Sequence, residues 1–179
     1  MKLSPKRVRL TLGWVLGTAA IVTARPTASS IAIGVSLAVF GAVLRGWAAG
    51  TIHKNRVLTT TGPYAFTRNP LYLGTFFIGL GLAAATGHVW LVPAFMLTYV
   101  AVYGWQMRHE ARNLETRFGE PYRHYAMHVP LFVPRLTRYE SAHSSPDFEL
   151  SRYVRNGEYQ AGIGILFTFL ALLAKMALL

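Results

Sequence analysis

Gly62-Pro63-Tyr64-Ala65-Phe66-Thr67-Arg68-Asn69-Pro70-Leu71-Tyr72-Leu73-Gly74 is a polar loop that runs straight into an apolar segment. Gly and Pro alone are enough to turn a chain. Here the turn also carries a cation, an amide and two phenols, gathered where a hydrophobic helix begins. That combination reads as a polar site at a membrane surface.

The sequence around this loop is apolar in blocks. Hydrophobic residues make up 53% of the 179 and charged residues 14%, too apolar for an ordinary soluble domain of this size. Leu10–Ala24 holds no charge, Ile31–Gly50 only Arg45, Leu71–Met107 only His88, and Gln160–Leu179 only Lys175. A spanning helix needs about 20 mostly apolar residues. Leu71–Met107 is too long for one helix; Gly87-His88 lies near its middle and Pro93 follows, which predicts a tight helical hairpin. The expectation is an all-α, polytopic membrane helix bundle forming a single domain, 1–179. About five transmembrane helices are expected, near 8–24, 30–50, 70–86, 89–107 and 160–179, with a cytoplasmic helical cap over 108–158. A soluble reading fails because the remaining polar surface could hardly cover four more apolar helices.

The formal charge is +11, and its placement orients the bundle. Lys2, Lys6, Arg7 and Arg9 precede the first span. Lys54, Arg56 and Arg68 lie between the second and third. Eight arginines, from Arg108 to Arg155, lie between the fourth and fifth. The positive-inside rule then puts the N-terminus, the 51–70 loop and 108–158 in the cytoplasm and the C-terminus outside. Arg45 and Lys175, near the ends of their spans, are expected to snorkel. The cations flank membrane segments, where anionic headgroups explain them, so no nucleic-acid partner is expected. The absence of cysteine excludes disulfides, thiol nucleophiles and Cys-based metal sites. The N-terminus lacks a small-residue cleavage pattern, so the first segment is expected to stay as an anchor.

Residues 108–118 read as a cytosolic extension of the fourth span, stopped by Gly119 and Pro121. Tyr122–His128 reads as a short helix before Pro130 and Pro134. Ser145-Pro146-Asp147 predicts a further helix start, over about 146–156, lying along the interface.

Two polar clusters face the same side: Tyr64, Arg68, Asn69 and Tyr72, and Arg108, His109, Glu110, Tyr122 and Tyr125. The hairpin is antiparallel, so residues 71 and 107 must end at similar depth and the clusters meet. The expected pocket holds a cation, a carboxylate, amide groups and aromatic faces against an apolar wall. It suits a zwitterionic, partly aromatic ligand. Plainer roles exist for each residue: lipid phosphate for Arg68, an interface belt for the tyrosines, a surface pair with Arg112 or Arg117 for Glu110, and close helix packing for Gly79 and Gly81. His124 and His128 have a helical metal-ligand spacing, but no third ligand stands near and no metal site is expected.

At these residues the chain resembles the isoprenylcysteine carboxyl methyltransferase and phospholipid N-methyltransferase superfamily. Residues 62–74 are similar to its Arg-His/Asn-Pro-x-Tyr-x-Gly signature. Glu110, Leu114, Phe118, Gly119, Tyr122, Tyr125, Val129 and Pro134 follow its second signature, and Gly79-Leu80-Gly81 its Gly-x-Gly element. Asn69 stands where the isoprenylcysteine enzymes commonly have His, and Ala111 where a second Glu is usual. The resemblance implies methyl transfer from S-adenosylmethionine to a lipophilic or lipid acceptor at the cytoplasmic membrane face. It implies a cofactor site of Arg68, Asn69, Tyr72, Gly79, Gly81, Glu110, Tyr122 and Tyr125. Arg68, Glu110 and His109 are the catalytic candidates, the last two as bases for a protonated acceptor. A related signature occurs in NADPH-dependent sterol reductases, and a non-catalytic membrane scaffold is the third reading. Cofactor binding separates the three.

Overall fold

The computed structural model describes residues 17–53, 57–140 and 148–178. All regular structure among them is helical: α1 (residues 17–23), α2 (Ala28–Thr51), a 3-10 turn (Gly62–Ala65), α3 (Pro70–Ala85), α4 (Leu91–Phe118), α5 (Glu120–His128), α6 (Leu150–Arg155) and α7 (Tyr159–Leu178). α2 and α7 are each long and apolar enough to cross a membrane, and α3 is a shorter apolar helix. The expected first span, 8–24, lies mostly outside the described residues; its described end is helical.

The hairpin forms where the sequence places it. α3 ends at Ala85, Gly87 turns the chain at φ 78°, and α4 begins at Leu91. α4 then continues without a break through the polar residues to Phe118. Gly119, at φ 59°, reverses the chain into α5; a side chain there would be strained in this left-handed region.

α2 and α3 pack through small residues. Gly34, Ala38, Gly41 and Arg45 on α2 meet Ala85, Gly81, Ile78 and Gly74 on α3. A Cβ added to Gly34, Gly41, Gly74 or Gly81 would come within 3.0 Å of the facing helix. Backbones this close gain van der Waals contact that lipid cannot match.

One end of the bundle gathers the ends of α1, α2, α3 and α7. Arg25 N donates to Thr86 O at 2.8 Å, and His88 Nε2 lies 2.8 Å from Thr23 O. Lys175 has partners: its Nζ donates to Ile21 O at 2.9 Å, and to Val22 O, satisfying carbonyls that the end of α1 leaves free. Arg45 is partnered too. It forms a two-pronged pair with Glu158, Nε to Oε2 at 2.8 Å and Nη2 to Oε1 at 2.9 Å, and its Nη1 donates to Leu71 O and Thr75 Oγ1. A pair is the cheaper answer where water is scarce.

The opposite end of α2 is capped by the chain that leads into α7. Glu149 N donates to Gly50 O at 3.0 Å, Arg152 Nη1 to Thr51 O at 3.0 Å and Asn156 Nδ2 to Ala49 O at 2.8 Å. α6 therefore packs on α2, with Arg152 buried. Its described helix starts at Leu150; the expected start at Ser145-Pro146-Asp147 lies outside the described residues.

Candidate functional site

The polar loop 62–70 is held by the segment after α5. Arg68 N donates to Pro130 O at 2.9 Å, Asn69 Nδ2 to Leu131 O at 2.9 Å, and Thr67 Oγ1 to Phe132 O at 2.9 Å. In return Arg135 N donates to Phe66 O at 2.9 Å and Tyr139 N to Ala65 O at 3.0 Å. Tyr125 Oη donates to Tyr64 O at 2.7 Å, tying α5 to the same loop. Tyr99 Oη donates to Tyr72 O at 2.6 Å, fixing the first turn of α3 to α4. The loop is thus tied on several sides although it contains only one 3-10 turn of regular structure.

These ties enclose a cavity of about 260 Å³. Arg68, Asn69, Tyr72, Glu110, Tyr122 and Tyr125 all line it, from three separate stretches of chain. Ile52, Leu58, Leu71, Leu114 and Phe118 supply an apolar wall. An open groove that shares Arg68, Ala111 and Tyr122 adjoins it and adds Arg112 and Arg123.

Arg68 reaches Tyr122 twice. Its Nη1 donates to the phenol oxygen at 3.1 Å, and its guanidinium lies 5.8 Å from the ring centre. Its Nε is buried and has no partner among the described residues; the same holds for Tyr64 Oη. A buried donor without a partner costs about 1–3 kcal/mol, so both atoms stand to gain from a partner beyond the described residues. The Tyr72 phenol interacts with the Glu110 carboxylate and with Gln106.

Burial raises the Tyr122 phenol above its usual range, partly offset by Arg68. Burial likewise pushes Tyr64 well up, helped by Tyr125, Glu110 and Glu158 and opposed by Arg45. It does the same to Tyr125, against the pull of Arg68. All three phenols are therefore neutral at ordinary pH and act as hydrogen-bonding groups rather than bases.

Three expected site residues lie elsewhere. His109 is exposed and stacks on Trp105, with ring centres 5.4 Å apart. Gly81 lies in the α2–α3 seam against Gly34 and Ala38, and Gly79 faces the Phe95 ring of α4. His124 and His128 are engaged locally, with Tyr139 Oη and the His124 carbonyl.

The structure also brings in residues that the motif reading passed over. His53 lines the cavity and faces Arg152 Nη1 at 3.3 Å. Thr67, inside the signature, is buried and serves as a clamp. Only its local bond had a signal: a threonine beside an Asn-Pro helix start commonly bonds nearby backbone, as Thr67 Oγ1 does in accepting from Asn69 N, whereas the bond to Phe132 O had none. His53 had no such signal.

Comparison with known proteins assigns the family. The phospholipid methyltransferase family matches residues 14–121. The cobalt-zinc-cadmium resistance protein CzcN of Cupriavidus metallidurans is 36% identical over 69% of this chain and 56% of its own length. The nickel-cobalt-cadmium resistance protein NccN of Alcaligenes xylosoxydans is 36% identical over 61% of this chain and 50% of its own. The protein-S-isoprenylcysteine O-methyltransferase of Schizosaccharomyces pombe is 30% identical over 46% of this chain and 35% of its own. The chain thus spans about half the length, or less, of the curated relatives it matches. The solved structure of a eukaryotic intramembrane Ras methyltransferase, isoprenylcysteine carboxyl methyltransferase, shares the fold, with a TM-score of 0.57 at 23% identity over 78% of this chain and 56% of that one. The family match covers the α2–α4 framework and the cavity's two chief charged residues, and this chain belongs to the phospholipid methyltransferase family, within the superfamily of integral membrane methyltransferases that includes isoprenylcysteine carboxyl methyltransferase.

Proposed function

We propose that this chain transfers a methyl group from S-adenosylmethionine to a lipophilic acceptor at the cytoplasmic face of its membrane. One observation carries the reading: Arg68 and Glu110, far apart in sequence, line a single cavity that also holds two buried, unpartnered polar atoms.

The residues present fit the cofactor. Arg68, with its unsatisfied Nε–H, suits the methionine carboxylate. Glu110 suits the ammonium or the ribose hydroxyls. The faces of Tyr72, Tyr122 and Tyr125 suit the adenine. When bound, the cofactor supplies a methyl carbon already activated by its sulfonium. The chain's task is then to hold the acceptor in line and keep water out. The apolar wall of Leu58, Leu71, Leu114 and Phe118 suits a hydrocarbon tail. For an acceptor that must lose a proton, Glu110 is the base this arrangement favours. Both Glu110 and His109 are exposed, but only Glu110 lines the cavity, and the neighbouring phenols stay neutral.

The relatives' names give two lipophilic acceptor types, a phospholipid and an S-isoprenylcysteine; lipophilicity is the shared property carried over. The metal-resistance names state a phenotype rather than a chemistry. Titration of the detergent-purified protein tests the reading. S-adenosylmethionine should bind saturably and NADPH should not; the reverse result favours a reductase, and binding of neither a scaffold. Cysteine labelling near Thr60 tests the face, and reaction only with an outside reagent would place the site on the other side.

A further inference from the structure

Tyr64 is not among the residues proposed to hold the cofactor. It lines the cavity, is 6% exposed, and has a hydroxyl with no partner among the described residues. Its own carbonyl is already used by Tyr125. A side chain so buried ordinarily finds a hydrogen-bond partner, so the hydroxyl is kept open for something.

The charges around it say for what. Among the described residues, besides the Tyr125 phenol, the charged groups that act on the Tyr64 hydroxyl are Glu110, Glu158 and Arg45. Arg45 is engaged on all three of its nitrogens, by Glu158, Leu71 O and Thr75. Arg45 and Glu158 neutralise each other, so Glu110 is the carboxylate left unbalanced. Burial and these carboxylates keep the phenol protonated, so it offers oxygen lone pairs in an electronegative corner. An anion brought there would meet net negative charge. A positive centre, with polarised C–H groups, would meet lone pairs. The Arg68 and Tyr122 side of the cavity has the opposite bias.

We propose that the Tyr64 hydroxyl is the oxygen that faces the sulfonium end of the bound cofactor and discriminates the charged methyl donor from its neutral thioether product. The inference rests on the proposed cofactor. It makes Tyr64 a positioning residue that favours the methylated, cationic state and eases departure of the demethylated one.

The test is a calorimetric titration of wild type and Tyr64→Phe with S-adenosylmethionine and, separately, S-adenosylhomocysteine. The variant keeps the ring and its packing. It should lose about 2- to 12-fold in affinity for S-adenosylmethionine and keep its affinity for S-adenosylhomocysteine. Without ligand, its thermal unfolding midpoint should equal or exceed that of wild type, because an unsatisfied buried hydroxyl is gone. Unchanged affinity for both ligands overturns the proposal. Equal loss for both does so too, by placing the contact on the shared adenosine or amino-acid part. A lowered midpoint would make the hydroxyl structural and overturn it as well. If wild type binds neither ligand, the cofactor reading itself fails, and this inference with it.

Discussion

At the residue scale the site is a set of polar atoms divided between holding and waiting. Asn69 Nδ2 and Thr67 Oγ1 hold, each on a carbonyl of the 131–132 segment. Arg68 Nε and Tyr64 Oη wait. The sequence named Arg68, Asn69 and Glu110 but could not say which was clamp and which was ligand group, because Asn and Arg donate equally well to a backbone carbonyl and to a bound carboxylate. The buried phenols give a pH signature. Tyr64, Tyr122 and Tyr125 are held above the ordinary value of 10.0. Above that pH the unfolded chain releases phenol protons that the folded one retains, so stability falls as pH rises. Each fully retained proton steepens the fall by about 1.4 kcal/mol per pH unit. Unfolding midpoints from pH 8 to 11 should therefore drop more steeply for wild type than for Tyr125→Phe, once both are normalised at pH 8. Parallel profiles would mean that the phenol ionises as freely folded as unfolded.

At the scale of elements, the α3–α4 hairpin was legible and the cap of α2 was not. The apolar run 71–107 exceeds one span and carries its own turn at Gly87-His88, so local sequence sufficed. The Arg45–Glu158 pair joins α2 to the start of α7 across 113 positions, and no periodicity announces such a partner. Gly79 and Gly81 show a different limit. Small residues serve close helix packing and close ligand approach alike, and the structure puts both glycines in helix seams. That seam makes a prediction. Gly81→Val should destabilise the protein by about 1–3 kcal/mol through overpacking against Gly34 and Ala38. Gly164→Ala, on α7 with nothing among the described residues within 4 Å of an added Cβ, should be neutral or stabilise it by up to about 1 kcal/mol. Thermal unfolding in one detergent compares them, and equal midpoints would remove the seam from the account.

At the scale of the whole molecule, the fold's work is to bring polar residues to one end of an apolar bundle and lock them there. The hairpin brings 68–72 level with 107–114. Gly119 turns α5 back so that Tyr122 and Tyr125 close the cavity, and the chain from Glu149 to Glu158 seals the adjoining end of α2. This convergence followed from topology, since an antiparallel hairpin admits no other arrangement of its ends. The central claim is that Arg68 and Glu110 serve one bound cofactor, and calorimetric binding of S-adenosylmethionine to Arg68→Ala and Glu110→Ala tests it most directly. Each substitution removes one charge-assisted pairing, about 1.5–3 kcal/mol, so each variant should stay folded and lose roughly 10- to 150-fold in affinity. Wild-type affinity in both variants would contradict the account, reducing Arg68 to a lipid contact and Glu110 to a surface charge.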